Sequence, residues 1–272
     1  VRQLTRKGST RDYGGAIGVL GDAYGVGKNS VSREGKKATE AELRRLCERS
    51  APPGLVALLI DGKHFGKECI VVAMGVDREG KKHLLGLWAG STENTTVVKD
   101  PRARGLDTEL PLLVVVDGAK ALHAGVRAVF GGRAPIHRCR VHKLRNVLAY
   151  LPRELRALAT WLEEHSSAAA ASLREGMEEL LTLQRLGAKD IALIASLSST
   201  NLIECAFSRC EAWTSRVSRW RGQSRATRWA AGALLWAESS FRRIKGHTAL
   251  PALEVALNAT HKTTLAPQTQ AA

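Results

Sequence analysis

Residues 55–63, "LVALLIDGK", and residues 112–120, "LLVVVDGAK", share one plan: an apolar run of strand-forming residues, an Asp, a Gly, and a Lys close behind. Short uninterrupted runs of Leu, Val and Ile suit strands buried on both faces of a sheet. A single acid at the end of such a run reads as the start of a turn. Two such ends, at Asp61 and Asp117, predict a pair of carboxylates brought side by side if the two strands are parallel neighbours, because functional groups gather beyond the carboxyl ends of parallel strands.

The pattern outward from these runs is that of an α/β domain. "APPG" (51–54) marks a boundary. Strands are expected at 55–61, 69–77 and 83–90, with "DREGKK" as the hairpin turn between the last two. The fourth strand ends at Asp117. A helix over 118–130 and a short fifth strand over 134–139 follow, and from Val141 the spacing is helical almost to the end. "RDYGGAIGVLGDAYGVGKNSVSREG" reads as helix, tight turn, helix, which fits a helix-turn-helix DNA reader or an ordinary helical hairpin. Gly35 is expected to cut the second of these helices short. "GDAYGVGKN" is not a phosphate loop: its first Gly is misplaced, Asn29 stands where Ser or Thr is needed, and no strand precedes it.

Of the 272 residues, 41 are Lys or Arg and 26 are Asp or Glu, a formal net charge of +15. That excess points to a polyanionic partner, nucleic acid above all. No run approaches the ~20 apolar residues of a membrane span, and the polar start lacks a signal-peptide core, so the chain is expected in the cytoplasm. Val1 in place of Met is expected to mean an unusual start or a missing beginning. The five scattered cysteines do not form a disulfide framework.

In a basic protein, paired carboxylates call for a cation, since two like charges held close repel. Mg²⁺ takes oxygen ligands, and the expected chemistry is two-metal phosphodiester cleavage, with two Mg²⁺ or alternatively Mn²⁺. A third acid is expected at Glu204 in "SSTNLIECAF", on a helix capped by Ser198, Ser199 or Thr200. Spacing does not separate this from an acid favoured near any helix start by the dipole. Cys139 and His142 form a Cys-x-x-His, half of a zinc site, which His123 and His137 could complete although nothing in the spacing demands it. The expected role is structural or DNA-contacting. Lys28, Arg33, Lys63, Lys120, Lys143, Arg145 and Arg219 are the candidate DNA contacts.

Several ordered stretches carry a family resemblance from about Tyr13 to Leu257: "LLIDGKHFG" (58–66), "LGLWAGSTEN" (85–94), "VVVDGAKAL" (114–122), "HRCRVHKLRNVLAYLP" (137–152), "STNLIE" (199–204) and "RWAAGALLWAESSFRRIKG" (228–246). On them the chain resembles bacterial insertion-sequence transposases of the mutator type. The resemblance implies an RNase-H-like mixed sheet flanked by helices, and a DDE triad falling on Asp61, Asp117 and Glu204. It also implies double-stranded DNA substrates, terminal inverted repeats and target, and a homo-oligomer on DNA. The expected organisation is a helical DNA-binding region at 1–50, the first part of the core at 51–150, a helical insertion at 151–197, and the catalytic helix with C-terminal helices at 198–272. Pro101 is expected to break the helix after "STENTTVVKD", and "EAWTSRVS" (211–218) stands where a basic stretch is usual. A longer N-terminal segment is expected from the family. The competing reading is a decayed, non-catalytic copy that only binds DNA.

Overall fold

The computed structural model describes residues 28–65, 67–90, 96–143, 166–174, 177–214 and 223–265. Its centre is a five-stranded sheet in the order β3-β2-β1-β4-β5. The strands are β1 (Leu55–Phe65), β2 (Glu68–Asp77), β3 (Lys82–Ala89), β4 (Leu113–Val116) and β5 (Ile136–Arg138). β1–β2–β3 form an antiparallel meander, while β4 joins β1, and β5 joins β4, in parallel. The β2–β3 turn is closed by Asp77, whose carboxylate accepts from the backbone N–H groups of Glu79 and Lys81 and meets His83 Nε2 at 2.7 Å.

Parity along the strands divides the core in two. Ala57 and Leu59 of β1 face the same side as Leu113 and Val115 of β4. That side is covered by α1 (Lys28–Glu48), α7 (Ile191–Leu197), α8 (Asn201–Thr214), α9 (Gln223–Glu238) and α10 (Leu250–Leu265). Leu58, Ile60, Val114 and Val116 face the other side, against α2 (Thr96–Ala103) and α3 (Lys120–Phe130). Helices on both faces of a mixed sheet make this an α/β domain, consistent with an RNase-H-like core.

The described part of the segment between α3 and α7 includes the short helices α4 (Ser167–Arg174), α5 (Met177–Leu180) and α6 (Thr182–Arg185). The Thr182 hydroxyl donates to the Ile136 carbonyl at 2.6 Å and Arg140 Nη2 to the Leu180 carbonyl at 3.2 Å, so this segment ties to the outer strand β5. Among the described residues no single helix is long and apolar enough to cross a membrane.

Three expectations are corrected. The helix from Lys28 runs through Gly35 to Glu48. A helical Gly costs only about 1 kcal/mol, which the burial of Leu46 on the sheet outweighs, with i,i+3 and i,i+4 ion pairs such as Arg45–Glu42 adding to it. Pro101 lies inside α2 rather than ending it. Proline removes its own donor, but Arg104 N–H still bonds the Asp100 carbonyl at 3.1 Å and the turn closes beyond it. Asp61 is not at a strand tip, because β1 continues to Phe65 and pairs with β2 over that whole length. The first helix of the helix-turn-helix pattern lies outside the described residues.

One turn is expected to be unusually intolerant. Gly246 has φ +72°, and an added Cβ would run into the Leu193 backbone nitrogen and the Asp190 carboxylate. That carboxylate caps α7 by accepting from Leu193 N–H at 2.7 Å. Left-handed strain and a backbone clash together predict that Gly246→Ala costs at least about 2 kcal/mol, to be read from urea unfolding. A loss below about 0.5 kcal/mol would contradict this packing.

Candidate functional site

The β1–β4 ladder pairs Ala57 with Leu113 and Leu59 with Val115. Carrying that register two residues further aligns Asp61 with Asp117, and the two-residue period turns both toward α8. The expectation of parallel neighbours is met. The carboxylates stand where the parallel pairing ends, although β1 itself goes on.

Asp61 is 3% exposed. Its Oδ1 accepts from Gly62 N–H at 2.8 Å and lies 3.9 Å from His142 Nε2. Burial pushes its pKa up to about 6; the charge of His142 and hydrogen bonds from Thr200 and Gly62 work against that rise, and Asp117 adds to it. Glu204 sits in the first turn of α8, its N–H bonded to the Thr200 carbonyl at 3.1 Å. The N-cap position is shared: Ser199 Oγ accepts from Asn201 N–H at 3.4 Å, and the Thr200 side chain turns inward. Ligand atoms of Asp61, His142 and Glu204 all lie within 4.8 Å of one another. Asp117 is not in that group; its Oδ1 accepts from Ala119 N–H at 3.0 Å, folded onto its own turn.

Cys139 and His142 hold the floor of the site. Cys139 N–H donates to the Val116 carbonyl at 2.8 Å, joining the ends of β4 and β5. Its Sγ lies 3.2 Å from His142 Nδ1 and accepts from Thr200 N–H at 3.4 Å. Arg140 N–H donates to the Ser198 carbonyl at 3.0 Å, a second tie from β5 to the start of α8. Burial raises the Cys139 thiol, but hydrogen bonds from His142 and Thr200 outweigh it and the net shift is downward. The hydrogen bond to Cys139 pushes His142 up to about 9 against burial, and the nearby Asp61 charge reinforces it. His142 is therefore a cation beside Asp61 at neutral pH, and Cys139 its acceptor.

His123 and His137 do not complete a zinc site, which corrects that alternative. His137 is fully buried, and burial pushes its imidazole down to about 4, so it is neutral. His123 faces elsewhere, with Nδ1 3.2 Å from Glu179 and Nε2 3.3 Å from the Asp117 carbonyl oxygen. The hydrogen bond to Glu179 raises His123 despite burial, while Glu179 falls despite its own burial. Among the described residues the one metal-competent grouping is Asp61, His142 and Glu204. Cys139 and His142 alone supply two of the four ligands of a structural zinc site, so chelation is expected to leave the melting temperature of the purified protein unmoved. One zinc per chain, lost in a Cys139→Ser/His142→Ala double variant, would overturn this, since a structural zinc stabilises the fold directly.

The candidate DNA contacts divide. Arg33 on α1 and Lys120 at the start of α3 are exposed. Lys63 pairs with Glu211. Lys143 is 2% exposed, which corrects its reading as a surface phosphate contact: the residue follows directly on His142 and its stem is taken into the interior. Lys28 opens α1, but its side chain lies outside the described residues, as do Arg145 and Arg219. Residue types alone miss Thr200, which touches Cys139 and His142 and bonds Asp61, and Glu179, which reaches the Asp117 turn through His123. Thr200 is signalled only by its place in "STNLIE"; Glu179 has no local signal.

The family model described as "Transposase, Mutator family" matches residues 55–160, which include Asp61, Asp117, Cys139 and His142. The transposase for insertion sequence element IS6120 of Mycolicibacterium smegmatis is 31% identical over 157 residues, covering 53% of this chain and 47% of that protein. The transposase for ISRM5 of Rhizobium meliloti is 28% identical over 223 residues, 68% of this chain and 54% of that one. The transposase for IST2 of Acidithiobacillus ferrooxidans is 33% identical over 115 residues, 39% and 38% of the two chains. The matches span about half or less of these relatives' lengths. By the match over its central sheet and by these similarities, the chain is a relative of the insertion-sequence transposases of the Mutator family.

Proposed function

We propose that this chain carries the strand-cleaving centre of a DDE transposase, with Asp61, Asp117 and Glu204 as its acids. The observation that carries the reading is the meeting of Asp61 from β1 and Glu204 from α8 at the end of the parallel ladder, where Asp117 lies in register. The donor set fits a hard divalent ion. Two carboxylates converge, and one of them is buried with its pKa raised, the condition of a carboxylate short of counter-charge. Asp61 and Glu204 would hold the ion, and Asp117 would join them. Bound Mg²⁺ or Mn²⁺ supplies Lewis acidity and lowers the pKa of coordinated water.

The chain's own groups do the rest. As an imidazolium His142 carries a proton on each ring nitrogen, so it offers Asp61 positive charge rather than a lone pair, and it favours the ionised carboxylate. Thr200 joins the same network from the start of α8, so the helix carrying Glu204 is fixed relative to Asp61. The substrates on this reading are the terminal inverted repeats of an element and its target DNA, held by a homo-oligomer. The test is nicking of a duplex bearing the element's end: a 3′-hydroxyl product formed with Mg²⁺ or Mn²⁺ and abolished by chelation is expected. One observation favours a second reading, a copy that binds DNA without cutting it: the Asp117 carboxylate rests on Ala119 N–H, outside the acid–histidine group. Binding without metal-dependent nicking would select that reading.

The charge of +15 predicts binding dominated by phosphate contacts. Affinity for duplex DNA is expected to fall about a thousandfold or more between about 50 and about 200 mM salt, the loss for six or more neutralised phosphates. A flat salt titration would contradict the polyanion reading.

A further inference from the structure

Lys63 lies one pleat repeat beyond Asp61 on the same face of β1, about 7 Å along the strand. Its ammonium sits 5.8 Å from the centroid of the Phe207 ring and pairs with Glu211. Phe207 and Glu211 stand one and two helical turns beyond Glu204, on the side of α8 that meets β1, where Phe65 packs edge-on against Phe207 at 6.1 Å. The strand–helix seam therefore presents, in order, the Asp61–Glu204 pair and then a lysine held against an aromatic ring by an acid.

Two ion pairs on this face differ in kind. Arg49 reaches Glu238 through two bonds of 2.9 and 2.8 Å, and Glu238 also accepts from Leu84 N–H at 2.6 Å. That pair is built into the fold. In the Lys63–Glu211 pair the side chains are 30% and 56% exposed and a single contact joins them. Such pairs are weak in water and readily exchanged. A phosphate arriving at the acids would meet a flexible lysine stem already on the right face, with the exposed contact to Glu211 as its one ion pair to exchange among the described residues.

We propose that Lys63 is a phosphate-contacting residue of the cleavage site and that Glu211 is its removable counter-charge, released when a DNA backbone enters the seam. The proposal rests on the nucleic-acid reading above. It makes Glu211 an acid that weakens DNA binding through one named partner, rather than through its charge alone.

The test is anisotropy titration of a short labelled duplex with the full chain, in EDTA so that no strand is cut, for the wild type, Glu211→Gln, Lys63→Gln and the double variant. Glu211→Gln is expected to tighten binding about two- to fivefold, the scale of freeing one exposed ion pair. Lys63→Gln is expected to weaken binding and to reduce the slope of log affinity against log salt by about 0.9, one phosphate contact. In the Lys63→Gln background, Glu211→Gln is expected to change nothing. Equal tightening by Glu211→Gln with or without Lys63, or an unchanged slope in Lys63→Gln, overturns the proposal while leaving DNA binding intact. Absence of saturable, salt-sensitive binding by the wild type removes the nucleic-acid reading itself, and this proposal with it. Melting curves for each variant separate lost contacts from lost fold.

Discussion

Asp61→Asn, Asp117→Asn and Glu204→Gln each lower divalent-dependent strand cleavage by about a thousandfold or more, a loss of about 4 kcal/mol of transition-state stabilisation. Duplex affinity changes far less, because binding is carried mainly by lysines and arginines elsewhere. The amides keep the shape of each side chain, so the loss isolates the charge. The three are not equivalent in this structure. Asp61 and Glu204 already converge with His142, whereas Asp117 lies outside that group with its Oδ1 accepting from Ala119 N–H. Single-turnover nicking with Mg²⁺ and with Mn²⁺ measures all three. Wild-type rates in Asp117→Asn alone would remove that residue and leave a two-acid site; wild-type rates in Asp61→Asn or Glu204→Gln would remove the site.

The second large effect has the opposite sign. Asp61→Asn stabilises the metal-free protein by about 3 kcal/mol near pH 8, because the native state raises this carboxyl from 3.8 to about 6. A raised acid pKa means that the folded state binds the proton more tightly than the unfolded chain. The cost of Asp61 is therefore absent below pH 3.8, grows between 3.8 and about 6, and is complete above that. Asparagine keeps the oxygen that accepts from Gly62 N–H and discards the buried charge. Urea midpoints of the two proteins should converge at low pH and separate as pH rises. A variant less stable than wild type at pH 8 would show that His142 already compensates the charge in full. The same change that ends cleavage would thus strengthen the fold, and two well-buried leucines, at roughly 1.5–3 kcal/mol each, cover the cost in the wild type.

Much of this architecture is legible locally. "LVALLIDGK" and "LLVVVDGAK" announce buried strands that deliver acids, and the alternation within each run already determines which side chains share the acid's face. "STNLIE" announces a helix start with an acid in its first turn, where Glu204 is found. Local readings fail where long-range contacts outweigh a residue's own preference. Gly35 and Pro101 both lie within helices that chain-local rules would have ended.

What one strand run cannot contain is the identity of its neighbour. Asp61 reads as a strand tip because the apolar run stops there, yet β1 continues to Phe65 because β2 folds back along it residue by residue. The parallel ladder to β4 stops near Leu59, and that stopping point, set by pairing across the chain, is what makes a site of two separated acids. His142 likewise looks like half a zinc site until Thr200, far along the chain, meets Cys139 and turns the imidazole toward Asp61. Residue type and period specify the groups and the faces they occupy. Their partners, and so their charge states, depend on burial and distance, which exist only once the sheet and α8 have closed on each other.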